Sequence, residues 1–278
     1  MPLVSIPGLE VYVEEAGSGP PLLLIMGLGA SVETWVAQRD VFARHYRVIT
    51  FDNRGAGRSG SPPPPWTVPA MAEDARAVLD ALDIARADVL GVSMGGMIAQ
   101  ELVLAHPQRV GRLILALSFS RPEPLRRIFL LHRRWARLQG AEPTNESIAH
   151  LPWLLSPMTM NDVARLATIL DLVGTMPFMP ADAYAHQVDA ILEHSTLDRL
   201  GGVRAPTLVV AAPEDVLTPV ALSEEIAAAI PGARLAILPR GGHGVLIEYP
   251  DDFNRVVLQW LGTKENPDSH DGDVPPRR

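Results

Sequence analysis

Four short apolar runs, at residues 22–26, 89–92, 110–117 and 206–212, constrain this chain more than anything else in it. Each is bounded by turn or charged residues and is short, which suits a strand buried on both faces. Helical segments are expected between them, at residues 33–42 and 71–82. In the second, Val78, Leu79 and Leu82 follow helical spacing, with Glu73 and Asp74 in the expected first turn. Two more strands, at 46–51 and 234–238, and two more helices, at 221–230 and 251–261, continue the rhythm. Strands alternating with helices build βαβ units around a parallel sheet. Ahead of them, residues 3–6 and 9–15 flank Pro7-Gly8 and read as a β-hairpin at a sheet edge. The expectation is an α/β architecture: a mostly parallel eight-stranded sheet with helices on both faces.

The rhythm stops between Phe119 and Leu200, where no strand pattern occurs. Helices are expected at 124–138, 144–155, 161–173 and 181–193. This reads as a helical cap, residues 119–200, inserted into a core made of 1–118 and 201–262. Residues 263–278 are polar, with Pro and charge, and are expected to form a disordered tail. The first cap helix carries Arg126, Arg127, Arg133, Arg134 and Arg137, expected to be a solvated face and not an anion site. Met158, Met160, Met176, Phe178 and Met179 collect in the cap, either as core filler or as an adaptable apolar wall over a site. Met158, Met176 and Phe178 are the substrate-binding candidates.

Composition narrows the partners. A net charge of −8 argues against nucleic acid or an anionic membrane surface. With no cysteine, disulfides, thiolate metal sites and Cys nucleophiles are excluded. His132, His150, His186 and His194 lack zinc-ligand spacing, so no metal and no cofactor is expected. The first residues have neither a basic region nor a long apolar core, and no apolar run approaches the ~20 residues of a membrane helix. A cytoplasmic protein with a small-molecule substrate is the expectation, its oligomeric state open.

The chemistry centres on Gly91-Val92-Ser93-Met94-Gly95-Gly96, between an apolar run and a segment of helix formers. Strand, sharp turn and helix would hold Ser93 out at the apex. The pattern alone equally fits a tight turn with a buried serine. Its context favours chemistry, because polar residues follow other strands at their carboxyl ends, where open α/β sheets place ligands. These are Met26-Gly27-Leu28-Gly29, Asp52 to Ser59, Pro213-Glu214-Asp215 and Gly242-His243-Gly244. Asp52 is expected to fix its own Gly-rich loop by pairing with an arginine there. A serine hydroxyl needs a base to take its proton, and the base needs a carboxylate to orient it.

Elbow, Asp52 loop, acid segment and histidine segment together resemble the α/β-hydrolase superfamily over nearly all of residues 9–261. The chain is most similar to 3-oxoadipate enol-lactonases and cofactor-free haloperoxidase or perhydrolase-type esterases. The resemblance implies Ser93 as nucleophile, His243 as base and acid, and Asp215 as orienting acid, with Glu214 as a rival to Asp215. It implies the backbone N–H groups of Leu28 and Met94 as oxyanion donors. Met26 stands where many members carry histidine, which leaves the support of that loop to other groups. Serine at the elbow disfavours dehalogenase and epoxide hydrolase activity. The expected function is hydrolysis of carboxylic esters or lactones through an acyl-enzyme. C–C bond hydrolysis and a non-catalytic small-molecule receptor stay open. A dianionic lactone would need a cation in the pocket, and the sequence does not place Arg54 or Arg121 there.

Overall fold

The structure is a computed structural model and describes residues 3–262. The segment expected to be a tail, 263–278, lies outside the described residues. Eight strands form one sheet: β1 Leu3–Ile6, β2 Leu9–Ala16, β3 Pro21–Ile25, β4 Arg47–Phe51, β5 Ala87–Val92, β6 Val110–Ala116, β7 Thr207–Ala211 and β8 Arg234–Ile237. Their order is β1-β2-β4-β3-β5-β6-β7-β8. The β1–β2 hairpin is antiparallel and joins β4 antiparallel, while every pairing from β4 to β8 is parallel. The sheet therefore has the expected hairpin at its edge.

Period-two side-chain direction explains why the central positions of the parallel strands are apolar on both faces. In β3, Leu23 and Ile25 enter one core and Leu22 and Leu24 enter the other. The first core is closed by helices α2 (Val68–Ala81) and α3 (Met94–Ala105). The second is closed by α1 (Val36–Phe42) and by a helix at the chain's far end, Pro250–Gly262, through Phe42, Phe253 and Val257. Burying one leucine fully is worth about 1.5–3 kcal/mol, so a polar residue at any of these strand positions would be expensive.

Two helix starts differ from expectation. Helix α2 begins at Val68, because Thr67 Oγ1 accepts the Ala70 N–H at 3.2 Å and Pro69 fits the first turn. Glu73 and Asp74 thus fall in the second turn and act through side-chain pairs, Glu73 with Arg76 and Asp74 with Arg54. Ahead of α1, residues Val32–Trp35 form a 3₁₀ turn.

Between β6 and β7 lie α4 (Pro124–Leu138), α5 (Pro143–Leu154), α6 (Pro157–Asn161), α7 (Val163–Thr175) and α8 (Ala181–Glu193). The short α6 was not expected. It is capped by Ser156, whose Oγ accepts the Thr159 N–H, and Asp162 then caps α7 through the Arg165 N–H. Beyond them follow α9 (Val220–Ala229), α10 (Val245–Glu248) and α11 (Pro250–Gly262). No helix among the described residues is long and apolar enough to cross a membrane.

Helix α4 reverses the expected amphipathic arrangement. Leu125, Ile128, Leu131, Trp135 and Leu138 are 45–66 % exposed, whereas Arg126 and Arg137 are buried. The expectation of a solvated arginine face holds for Arg127 and fails for Arg126, Arg133 and Arg137. Positions 126, 130, 133 and 137 share one helical face, and that face looks into the molecule.

The chain leaving α8 docks onto α3. The Thr196 N–H donates to the Ser120 carbonyl at 2.9 Å, and its hydroxyl donates to Gln100 Oε1 at 2.5 Å. Beside it, His194 is buried with Nδ1 unpartnered. Glu101 lies 3.8 Å away, but Arg199 already holds that carboxylate. Burial, with the Arg199 charge, lowers the His194 pKa to about 4. An unfolded histidine titrates near ~6.5. As pH falls from 7 toward 4, the unfolded chain takes a proton that the folded chain refuses, so stability is lost. The loss is on the order of 3 kcal/mol. Urea midpoints at pH 7.5 and 4.5 should therefore differ less in His194→Gln than in the wild type.

Candidate active site

Strand β5 ends at Val92, and α3 begins at Met94. Ser93 between them has φ 57° and ψ −121°, a conformation that costs an L-residue energy and persists only when its surroundings enforce it. The surroundings are explicit. A Cβ on Gly91 would strike the Gly95 carbonyl, and a Cβ on Gly95 would strike the Ile25 carbonyl. The glycines serve close backbone approach here. Ser118 Oγ donates to the Ser93 carbonyl at 2.8 Å. The serine hydroxyl is thereby fixed at the carboxyl edge of the sheet.

His243 and Asp215 meet it there. Ser93 Oγ is 3.0 Å from His243 Nε2, and His243 Nδ1 is 2.9 Å from Asp215 Oδ2. The Asp215 carboxylate is fully buried and accepts the N–H groups of Leu217 at 2.8 Å and Thr218 at 2.7 Å. Thr218 Oγ1 donates to Oδ2 at 2.5 Å. Burial pushes the Asp215 pKa up, but the His243 charge, the hydrogen bond from His243 and those from Thr218 outweigh it and leave the pKa lowered. An ionised carboxylate only accepts hydrogen bonds, so Nδ1 carries the proton and Nε2 is free to accept one from Ser93. Glu214 points elsewhere: its Oε1 accepts the Gly241 N–H at 3.1 Å and braces the histidine loop.

The Met26–Gly29 loop lies against the serine. A Cβ on Gly27 would stand 2.9 Å from Ser93 Cβ. The support that histidine would give at position 26 comes from three other side chains. Asn53 Nδ2 donates to the Met26 carbonyl at 2.9 Å, and Gln187 Oε1 accepts the Gly29 N–H at 2.9 Å. Asp52 accepts the N–H groups of Val32 at 2.7 Å and Arg58 at 2.8 Å. Asp52 is thus a loop brace, as expected, but through main-chain amides and not an arginine side chain. Met94 occupies the first turn of α3, where N–H groups have no partner inside the helix.

A cavity of about 280 Å³ opens beside Ser93 and His243, lined by the sheet edge and by α4, α5, α7 and α8. Met176 and Phe178 line it, and Met176 Sδ meets Thr34 Oγ1 at 3.7 Å. Met158 does not: it is 58 % exposed and outside the lining. It sits on α6, a short helix capped by Ser156, none of whose residues lines the cavity. Arg54 pairs with Asp74 and Arg121 with Glu225, and neither lines the cavity. The cations that do are Arg126, Arg133 and Arg137.

Sequence reasoning missed Glu248. It is buried, with Oε2 accepting both the N–H and the hydroxyl of Ser156, at 2.8 and 2.7 Å, and Oε1 accepting the Gly242 N–H at 2.8 Å. One carboxylate thus ties the start of α6 to the loop that carries His243. The available signal was a lone acid in the apolar run Val245-Leu246-Ile247-Glu248-Tyr249. Glu248→Ala would strand three buried donors, so thermal denaturation should show a loss of about 2–4 kcal/mol. A looser histidine should also lower kcat/KM by about tenfold or more, since small displacements of reacting groups are costly.

A mostly parallel eight-stranded sheet bearing a serine on a strand-to-helix elbow defines a class of protein. The chain belongs to the α/β-hydrolase fold family, which matches residues 20–250. It is similar to RutD of Azorhizobium caulinodans, a carbamate hydrolase by provisional assignment, at 32% identity over 91% of this chain and 95% of RutD. Among solved structures, a hydrolase from Pseudomonas aeruginosa PA01 has a TM-score of 0.83 and 30% identity, over 94% of this chain and 98% of that one. The enol-lactonase from Burkholderia xenovorans LB400 has a TM-score of 0.85 and 27% identity, over 94% of this chain and 100% of that one.

Proposed function

We propose that the protein is a serine hydrolase that cleaves carboxylic esters or lactones through an acyl-enzyme. The observation that carries this reading is the continuous chain of hydrogen bonds Ser93–His243–Asp215 at the mouth of an apolar cavity. Ser93 Oγ attacks the acyl carbonyl as its proton passes to His243 Nε2, and Asp215 stabilises the imidazolium formed. The tetrahedral oxyanion is received by the Leu28 and Met94 N–H groups; one such donor is worth roughly 100- to 1000-fold in rate. The C–O bond to the alcohol breaks as His243 returns the proton to the leaving oxygen. Water, deprotonated by His243, then cleaves the Ser93 ester. In a lactone the leaving oxygen stays tethered, and one product forms.

Helices α4 to α8 act as a cap, with Met176 and Phe178 against the substrate. Support comes from the relatives, a provisional carbamate hydrolase and an enol-lactonase, since hydrolysis of a carbamate and of an enol-lactone both begin with attack on an acyl carbonyl. The test is a panel of esters, lactones and β-diketones with the purified protein. An initial burst of p-nitrophenol from p-nitrophenyl butyrate, followed by steady turnover, is the expected result. Turnover of β-diketones alone, or ligand binding with no turnover at all, would overturn the reading.

A further inference from the structure

The inverted face of α4 puts charge where an apolar cavity would not ordinarily hold any. Arg133 donates to Glu146 through two hydrogen bonds, at 2.6 and 3.1 Å, and Arg137 stands 3.8 Å from the same carboxylate. Arg137 and Glu146 are nearly inaccessible, with side chains 6 % and 2 % exposed. Burial raises the Glu146 pKa less than the Arg133 hydrogen bond and the neighbouring positive charges lower it, so Glu146 is ionised. His150, next to them, is held below its ordinary pKa by burial, despite its hydrogen bond to the Glu146 carbonyl, and adds no charge at neutral pH. Two guanidinium groups against one carboxylate leave one positive charge in excess in this wall.

Tyr184 completes the wall. Its ring lies beneath both guanidinium groups, 5.3 Å from Arg133 Cζ and 4.9 Å from Arg137 Cζ. Only 3 % of the residue is exposed, it lines the cavity, and its hydroxyl has no hydrogen-bond partner. A buried hydroxyl without a partner is costly, and so is uncompensated buried charge. Arg137 already donates to the Met179 carbonyl, and a single anionic acceptor entering from the cavity would take the phenol's hydrogen bond and offset the excess charge.

We propose that Tyr184, Arg133 and Arg137 form an anion subsite, which takes a carboxylate carried by the substrate at a distance from the bond that is cleaved. This rests on the ester-hydrolase reading and narrows it: the preferred substrates are acidic half-esters or carboxylate-bearing lactones with an apolar spacer. The apolar lining by Phe129, Leu130 and Ile191 fits the spacer. The aromatic ring keeps the guanidinium groups oriented, and the phenol donates to the carboxylate.

Two matched pairs of esters test it, with the charge on either side of the scissile bond: monomethyl glutarate against methyl valerate, and 4-acetoxybutyrate against butyl acetate. Within each pair a carboxylate replaces a methyl group. In one pair at least, kcat/KM should favour the acid by about ten- to a hundredfold, the worth of a hydrogen bond to a charged group. That ratio should fall about tenfold in Tyr184→Phe. It should fall as far in Arg137→Met, which removes the excess charge and keeps the Arg133–Glu146 pair, and should return in Arg137→Lys. If Arg137→Met does not fold, Tyr184→Phe decides alone. Ratios near one in both pairs, or a preference indifferent to Tyr184→Phe, would overturn the proposal. If the wild type cleaves none of the four, the ester-hydrolase reading is decided on the wider panel of esters and lactones. Calorimetric titration of Ser93→Ala with the same compounds then decides the subsite separately, by whether the acids bind more tightly.

Discussion

Ser93→Ala should lower kcat/KM for p-nitrophenyl butyrate by about a thousandfold to a millionfold, the range in which loss of a serine nucleophile has its effect. The substitution removes one oxygen, which donates its hydrogen bond to His243 Nε2. Ser93 Cβ, which the Gly27 loop approaches closely, is retained. The left-handed backbone at residue 93 is held by neighbouring main chain and by Ser118, so it persists. The melting temperature should therefore stay within a few degrees of wild type, equivalent to about 1 kcal/mol or less. A rate loss with an unchanged melt separates chemistry from folding. Retained turnover would remove the serine from the mechanism.

The second large effect is expected from Asp215→Asn, a loss of about ten-thousandfold in kcat with the fold intact. The shape is conserved, and the amide oxygen can still accept the N–H groups of Leu217 and Thr218. What changes is the partner of His243 Nδ1. An amide nitrogen facing Nδ1 donates a hydrogen bond, which stabilises the tautomer protonated at Nε2. That tautomer has no lone pair for the Ser93 proton. The charge that would stabilise the imidazolium is lost as well. Because the Asp215 pKa is lowered, its contribution to stability is complete above the ordinary carboxylate range and disappears only as pH falls through the folded value. Single-turnover and steady-state assays at pH 7 measure the kinetic loss. Glu214→Gln is the contrast: Glu214 braces Gly241 and does not face the imidazole, so its cost should be far smaller.

Chain order and periodicity made most of the fold readable. Strand β3 and the inner positions of β5 to β7 (Val89–Val92, Leu113–Ala116, Leu208–Ala211) are apolar because both faces of a parallel sheet are covered, and a run of that length has few other structures open to it. The elbow was readable for a different reason: Gly91 and Gly95 sit where any side chain would collide with main chain. Helix boundaries were less legible, as α2 shows, where Thr67 and Pro69 set a start three residues ahead of the apolar pattern. In the insertion the sequence misled. Helix α4 has a strong stripe of leucine, isoleucine and tryptophan, and hydrophobicity alone turns such a stripe inward. The charged stripe faces in instead, because Glu146 and Tyr184 from other helices wait there to receive it.

The sequence by itself determined which residues are available for chemistry and in what order the chain delivers them: serine after β5, acid after β7, histidine after β8. Local pattern suffices for that, since each sits in a turn whose neighbours in sequence shape it. Which groups support them was decided only by the tertiary structure. Gln187 bracing the Gly29 loop, Glu248 joining Ser156 to Gly242, and two arginines sharing one glutamate above a tyrosine are pairings across 6 to 158 residues of chain. No period or motif encodes such a pairing. Each exists because packing has already excluded water, and a buried polar group then binds the partner that folding brings within reach.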